Sequence, residues 1–362
     1  MAQRPHNFNA GPAILPLEVL EEAREAIVDT HGTGLSILEW SHRSPEYGQV
    51  HEEAVTTLRE LLGPSAEGHE ILFLQGGASL QFAQVPLNLA AAGRPGEYVV
   101  TGVWAEKALA EARRLGRGRE LWNGGGGGFS TLPAVEEIRA TEDCAYVHLT
   151  SNNTIFGTQW RDFPRNLSAP LVADMSSDML SRPLDLSAFR LIYAGAQKNL
   201  GPAGLAVVLI EKEVLDRCAT DLPNILSYRA HAGARGLYHT PPTFAVYLMG
   251  LVFRWMLDQG GLVEMGRRSE TRASLLYEVI DASDFYSGTA APSVRSRMNV
   301  TFRLPSEELE RLFLEESAAE GFVGLKGHRL VGGLRASIYN AMPEASVRAL
   351  ADFMRAFEAR HG

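Results

Sequence analysis

The sequence predicts an α/β fold, a mostly parallel sheet between helices, with a second and smaller α+β unit behind it. Two observations predict it. Up to Ile210, short apolar runs alternate with amphipathic stretches, and strands that alternate with helices imply a parallel sheet covered on both faces. Beyond "LPNILSYRAHAGARGLYHTPPT" the pattern changes to a long helical stretch followed by further strand–helix pairs. The chain of 362 residues, 45% hydrophobic and 21% charged, can bury a large core in one or two domains.

The elements follow in order. Pro16 opens a helix through "LEVLEEAREAIVD". Ser44 and Pro45 have the character of an N-cap and a first helical residue for "SPEYGQVHEEAVTTLRELLG". "EILFLQ" reads as a strand and "ASLQFAQVPLNLAA" as a helix; "EYVVTG" and "WAEKALAEARRLG" repeat the pair. "AYVHLTS", "PLVADMS", "RLIYAGA" and "GLAVVLI" are further strands. A helical pattern from Phe244 to about Ala282 breaks near "DQGG". "RMNVTFRL", "SEELERLFLEESAAEG", "GLRASIYN" and "EASVRALADFMRAFEARHG" then alternate strand and helix. We divide the chain into a large domain at 16–258 and a small one at 259–362 that takes in the segment 1–15. The run Gly124–Gly128 has no phosphate-loop signature around it and reads as a surface turn.

Charge and composition exclude several classes. A formal charge of -9 argues against nucleic-acid binding, which needs a basic footprint. Two cysteines, Cys144 and Cys218, form no CxxC or Cys/His cluster, so no metal is expected. The opening "MAQRPHNFNAGPAILP" lacks the apolar core of a signal peptide, and no apolar run approaches a membrane span. The expectation is a soluble cytoplasmic protein with no nucleic-acid and no membrane partner.

The chemistry gathers at strand ends, where sheets of this kind bind ligands. In "LIYAGAQKNLGPAG" an apolar run ends at Lys198. Another strand ends at Asp174 in "PLVADMSSD". Pyridoxal phosphate makes both demands: an amine to hold its aldehyde, and a carboxylate to keep its ring nitrogen protonated. Taken alone, the pair reads more readily as a surface lysine and a capping aspartate. Further strand ends add weight. "QGGAS" places Ala78 and Ser79 where backbone N–H groups can meet a phosphate. Trp104 can stack on a pyridine ring, and Thr154 in "SNNTIFGTQ" offers a hydroxyl.

With these residues laid out, the chain closely resembles the phosphoserine aminotransferase family, fold-type-I, class V enzymes dependent on pyridoxal 5′-phosphate. The resemblance runs from "NFNAGPAILP" to "GLRASIYNAMP" and is carried by "SHRSPEY", "QGGASLQF", "SNNTIFGTQ", "VADMSSDMLSRP", "YAGAQKNLGPAG", "TPPTFAVY" and "LKGHRLVGGLRASIYNAMP". It implies a large domain built on a seven-stranded sheet. It implies that Lys198 bonds the cofactor and moves the proton, that Asp174 pairs with the ring nitrogen, that Trp104 stacks on the ring, and that Thr154 bonds at its polar edge. Ala78, Ser79 and Gln197 would hold the phosphate. His239 and Thr240 would reach the neighbouring subunit's phosphate, which implies a homodimer whose sites both chains complete. The family usually has asparagine at the position of His239, and some members carry arginine at that of Ser79.

By the same resemblance, Arg335 would hold the substrate α-carboxylate. His42, Arg43, His328 and Arg329 would line a distal anion pocket; arginine forks suit carboxylate and phosphate alike. The implied reaction moves the amino group of L-glutamate to 3-phosphooxypyruvate, giving O-phospho-L-serine and 2-oxoglutarate. The family often also handles 4-phosphooxy-L-threonine in pyridoxine synthesis. The alternatives are another class V enzyme, such as an alanine–glyoxylate aminotransferase, or a non-catalytic cofactor-binding regulator. A desulfurase would need a mobile cysteine, and Cys144 precedes a strand while Cys218 lies on a helical stretch. A regulator would add a DNA-binding module, for which the chain has no basic extension. A nicotinamide enzyme would need a glycine fingerprint that is not here.

Overall fold

A computed structural model describes residues 4–362. Seven strands form the main sheet: β1 (His69–Gln75), β2 (Gly96–Val100), β3 (Gly118–Asn123), β4 (Tyr146–Thr150), β5 (Leu171–Asp174), β6 (Leu191–Gly195) and β7 (Leu205–Glu211). Their spatial order is β1-β7-β6-β5-β4-β2-β3. Only β7 runs antiparallel to its neighbours; every other pairing is parallel. The carboxyl ends of β1, β2, β4, β5 and β6 therefore share one edge.

Six of these strands are legible as apolar runs. β3, "GRELWN", is not. It is one of the two outer strands and is half-exposed along its length, and an edge strand needs no continuous apolar pattern. Its pairing with β2 carries a bulge between Tyr98 and Val99.

Helices cover both faces. On one side α1 (Leu17–Val28), α2 (Pro45–Leu62) and α5 (Thr243–Asp258) meet the sheet. Ser44 caps α2, its hydroxyl accepting from Tyr47 N at 3.3 Å, with Pro45 as the first helical residue. The helix buries Tyr47, Val50, Ala54 and Leu58 at helical spacing, each large apolar side chain worth roughly 2 kcal/mol. On the other side α3 (Gly77–Leu89) and α4 (Val103–Arg114) pack Phe82, Val85, Ala105 and Leu109 on Leu72, Val172 and Tyr193.

A second apolar core surrounds a three-stranded antiparallel sheet: β8 (Ser287–Gly288), β9 (Asn299–Arg303) and β10 (Leu334–Ser337). Helices α6 (Gly261–Asp281), α7 (Glu307–Ala319) and α8 (Glu344–His361) cover it. Phe8 and Ile14 join this core from the N-terminal segment. The start of α6 packs Leu262 and Met265 into the first core, and its later turns pack Leu276 and Ile280 into the second.

The remaining expectations meet particular outcomes. Gly124–Gly128 forms an exposed 3-10 turn. Cys144 and Cys218 are both buried free thiols, and burial pushes each up to about 12. Cys218 lies in a bend after the short helix Lys212–Leu215, not on a helix. Among the described residues no helix is long and apolar enough to cross a membrane. No group of acidic, histidine and cysteine residues among them is arranged to hold a metal.

Candidate active site

The shared edge of the sheet holds a cavity of about 300 Å³. Its walls come from five elements and the N-terminal segment. β1 delivers Gly76 and the start of α3, including Ala78 and Ser79; β2 delivers Trp104, in the first turn of α4. β4 ends at Thr150, β5 at Asp174, and β6 leads into Gln197 and Lys198. Gly11 and Pro12 close the cavity from above the Lys198 stem, where a Cβ added to Gly11 would sit 3.4 Å from Lys198 Cγ.

Lys198 and Asp174 are buried, at 9% and 4% exposure. Burial brings the lysine down to about 8, against the pull of Asp174 and with help from the Arg335 charge. Burial also raises the Asp174 carboxyl, and its bonds from Ser176 oppose that rise. Lys198 Nζ donates to Thr154 Oγ1 at 2.6 Å and stands 5.7 Å from the Trp104 ring centre. Asp174 Oδ1 accepts from Ser176 N at 2.9 Å and Ser176 Oγ at 2.6 Å. Among the described residues Oδ2 makes no hydrogen bond, and so remains an acceptor for a group in the cavity. Trp104 Nε1 and Thr150 Oγ1 are buried without partners, a costly state that a polar guest would relieve.

The α3 end suits an anion. Gly76 and Gly77 lie at φ +93° and +60°, which glycine adopts at little cost. A side chain on Gly76 would strike Leu80 at 2.8 Å. The first N–H groups of α3 have no intrahelical acceptor, and the helix dipole adds to their pull on negative charge.

The predicted residues divide into two groups. Ala78, Ser79, Trp104, Asp174, Gln197 and Lys198 line this cavity, with Thr154 bonded to Lys198. Arg335, on β10, sits beside them and donates to Thr154 O at 3.4 Å. His328 is held below its ordinary range by burial and by the charges of Arg335, Arg329 and Lys107. His42 and Arg43 do not join them. They line a separate cavity of about 760 Å³ with Arg235 and Glu52. His239 sides with that second group: burial, then the charges of His231 and His42, lower it. Both of its ring nitrogens are buried without a partner, and Thr240 beside it is exposed.

Several residues at the cavity were not legible. Ser176 and Asn152 follow strand ends, where a bonded serine or asparagine resembles any loop residue. Gly11 and Pro12 follow the short strand His6–Asn7, which lies outside the main sheet. Lys107 lies one turn beyond Trp104, with Nζ 4.6 Å from its ring centre; the (i, i+3) spacing on a helix was the available signal.

The class-V aminotransferase model matches residues 6–350. This chain belongs to the class-V aminotransferases. The phosphoserine aminotransferase of Lysinibacillus sphaericus is 51% identical over 362 residues, covering 100% of both chains. That of Geobacillus kaustophilus is 52% identical over 359 residues, covering 99% of each. In structure, the enzyme superposes on phosphoserine aminotransferase from Bacillus circulans subsp. alkalophilus with a TM-score of 0.97 at 49% identity, covering 99% of both chains. The pyridoxal-phosphate-bound phosphoserine aminotransferase of Trichomonas vaginalis gives 0.91 at 37% identity, covering 97% of this chain and 100% of that one. The fold is the fold-type-I α/β architecture of these aminotransferases.

Proposed function

We infer that the enzyme is a phosphoserine aminotransferase: it moves the amino group of L-glutamate to 3-phosphooxypyruvate, yielding O-phospho-L-serine and 2-oxoglutarate, a step of serine biosynthesis. The observation that carries this reading is a buried lysine facing a buried aspartate beside a cluster of cations. Arg335, Arg329 and Lys107 all act on the His328 ring, and no carboxylate is paired with any of the three among the described salt bridges. Such a cluster suits substrates with two anionic ends. Relatives with this name match the full chain at about half identity.

The cofactor is pyridoxal 5′-phosphate, and the residues fit it. Asp174 Oδ2 is free for the ring nitrogen, the α3 N-terminus with Ser79 and Gln197 is free for the phosphate, and Trp104 presents its ring. When bound, the cofactor supplies an electron sink for the charge left at the substrate Cα. The protein's residues do the rest. Lys198, brought down to about 8 by burial, would be the base that takes the proton from the substrate Cα and the acid that gives it back. Thr154 keeps its amine aimed. Arg335 grips the α-carboxylate, and His328 and Arg329 meet the distal anion. Trp104 and the Gly11–Pro12 strap keep water from the reacting face.

The chain works as a homodimer. His42, Arg43, His239 and Thr240 lie apart from Lys198 within one subunit, which supports their service to the neighbouring site. The two bodies that flank the cavity we take as domains, 16–258 and 259–362 with 1–15. A cytoplasmic location accords with the chemistry.

An absorbance titration tests the reading. O-phospho-L-serine should bleach the yellow band of the Lys198-bound cofactor, and 2-oxoglutarate should restore it. A band that ignores phosphoserine but responds to another amino acid would transfer the function to a sister aminotransferase.

A further inference from the structure

Asn299 lies on β9, on the small sheet, and is fully buried. It does not line the cavity. Its carboxamide nevertheless joins two of the cavity's walls. Oδ1 accepts from Asn152 Nδ2 at 2.8 Å. Nδ2 donates to Tyr339 OH at 3.2 Å and to Ser337 Oγ at 3.0 Å.

The proton count fixes these directions. Tyr339 donates its only hydroxyl proton to Ala10 O at 2.9 Å, so it can only accept from Asn299. Ser177 donates its hydroxyl proton to Asn152 O at 2.8 Å, so it can only accept from Asn152 Nδ2, also at 2.8 Å. Both amide orientations follow from hydrogen bonding rather than from choice. Ser296 Oγ closes the set by donating to Asn152 Oδ1 at 2.5 Å.

Asn152 and Ser177 are walls of the cavity, as are Gly11 and Pro12, which follow directly on Ala10. The strap is pinned at its other end by Ala13 N, which donates to Gln197 O at 2.9 Å. Gly11 between them rests against the Lys198 stem.

We propose that Asn299 is a positioning residue for the reaction: through Tyr339 it holds the Gly11–Pro12 strap on the lysine, and through Asn152 it holds the opposite wall in register. A buried polar network of this kind is rigid only when every member is satisfied. Loss of Asn299 frees the Tyr339 ring to turn and leaves Asn152 Nδ2 with one partner fewer. The strap then loosens even though Tyr339 and Ala10 are intact. The proposal rests on the reading of this cavity as the cofactor site.

The test is hydrogen exchange at the Ala13 amide, with steady-state kinetics, in the cofactor-loaded enzyme. Tyr339→Phe deletes the strap bond directly and sets the scale. Asn299→Leu, or Asn299→Ser where leucine does not fold, tests the proposal. Both variants should speed Ala13 exchange by about tenfold, while Val300 on the same strand keeps its protection. Both should lower kcat by about tenfold with KM within about twofold, the pattern of a misaimed proton carrier. Faster Ala13 exchange in Tyr339→Phe but not in the Asn299 variants would overturn the proposal. So would faster exchange with kcat unchanged, or a loss confined to KM. Kinetics are read with whichever amino donor the wild-type enzyme accepts, so failure with phosphoserine would count against the substrate reading alone.

Discussion

Lys198 donates a 2.6 Å hydrogen bond to the hydroxyl of Thr154, from a position where the lysine is only 9% exposed. The turn after β6 and the segment after β4, 44 residues apart in sequence, thus meet at this amine. The hydroxyl gives that amine a direction without giving it a counter-charge.

Lys198→Ala should abolish turnover. In the cofactor-free protein, Lys198→Met should also stabilise the fold near neutral pH, by on the order of 1–3 kcal/mol. The folded lysine titrates at about 8 and the ordinary value is 10.5. The unfolded chain therefore binds the proton more readily, and the wild-type fold carries a penalty that is full below pH 8. That penalty fades as pH rises from 8 through 10.5. Thermal unfolding of both proteins between pH 7 and 10 should show their melting temperatures converging upward; a constant difference would contradict this account.

Ser176→Ala should lower kcat by about five- to twentyfold, the worth of a charge-assisted hydrogen bond. Asp174 would keep only the backbone bond from Ser176, and burial would raise its carboxyl further. The ring nitrogen would face a carboxylate less often. Gly195 N, which donates to Ser176 Oγ at 2.9 Å, would also lose its acceptor. Stopped-flow rates of the half-reaction with O-phospho-L-serine would report the loss, and an unchanged rate would remove Ser176 from the argument.

Gly195→Ala should weaken cofactor binding by at least about tenfold. A Cβ there would lie 2.7 Å from Gln197 Oε1 and 3.4 Å from Ala78 N. Gln197 would have to move, and the phosphate would lose a partner at the helix end. Fluorescence titration of the cofactor-free protein gives the constant; wild-type affinity in the variant would place the phosphate elsewhere.

Mixing inactive Lys198→Ala and Arg43→Ala subunits should restore about a quarter of the wild-type activity. Arg43 lies in a different cavity from Lys198 within one chain. If it serves the neighbour, half of the dimers are mixed and each of these regains one of its two sites. If it serves its own chain, mixing restores nothing. Activity after denaturation and joint refolding distinguishes the two.

The sheet edge was legible because its residues follow apolar runs. Asp174 and Lys198 each end a strand-like segment, and parallel topology gathers such ends without further information. What lay hidden is set by pairings that no local pattern carries. His148 stands in none of the motifs that carry the chemistry. It is buried on β4, with Nε2 at 2.8 Å from Tyr193 OH, and burial holds it down to about 3. Its partner is 45 residues away. Ser176 became visible only through the Asp174 carboxylate that it bonds. The separation of His42 and Arg43 from Lys198 depends on how α2 leaves the sheet, which spacing along the chain does not encode.

The two cysteines have a practical meaning. With Cys144 and Cys218 buried and their thiols held near 12, almost no thiolate exists at neutral pH. The native protein is therefore a nearly silent background for maleimide chemistry. One cysteine engineered on the exposed face of α4 and another near the strap would accept a donor and acceptor dye pair at chosen places. The distance from the strap to α4 could then be read one molecule at a time.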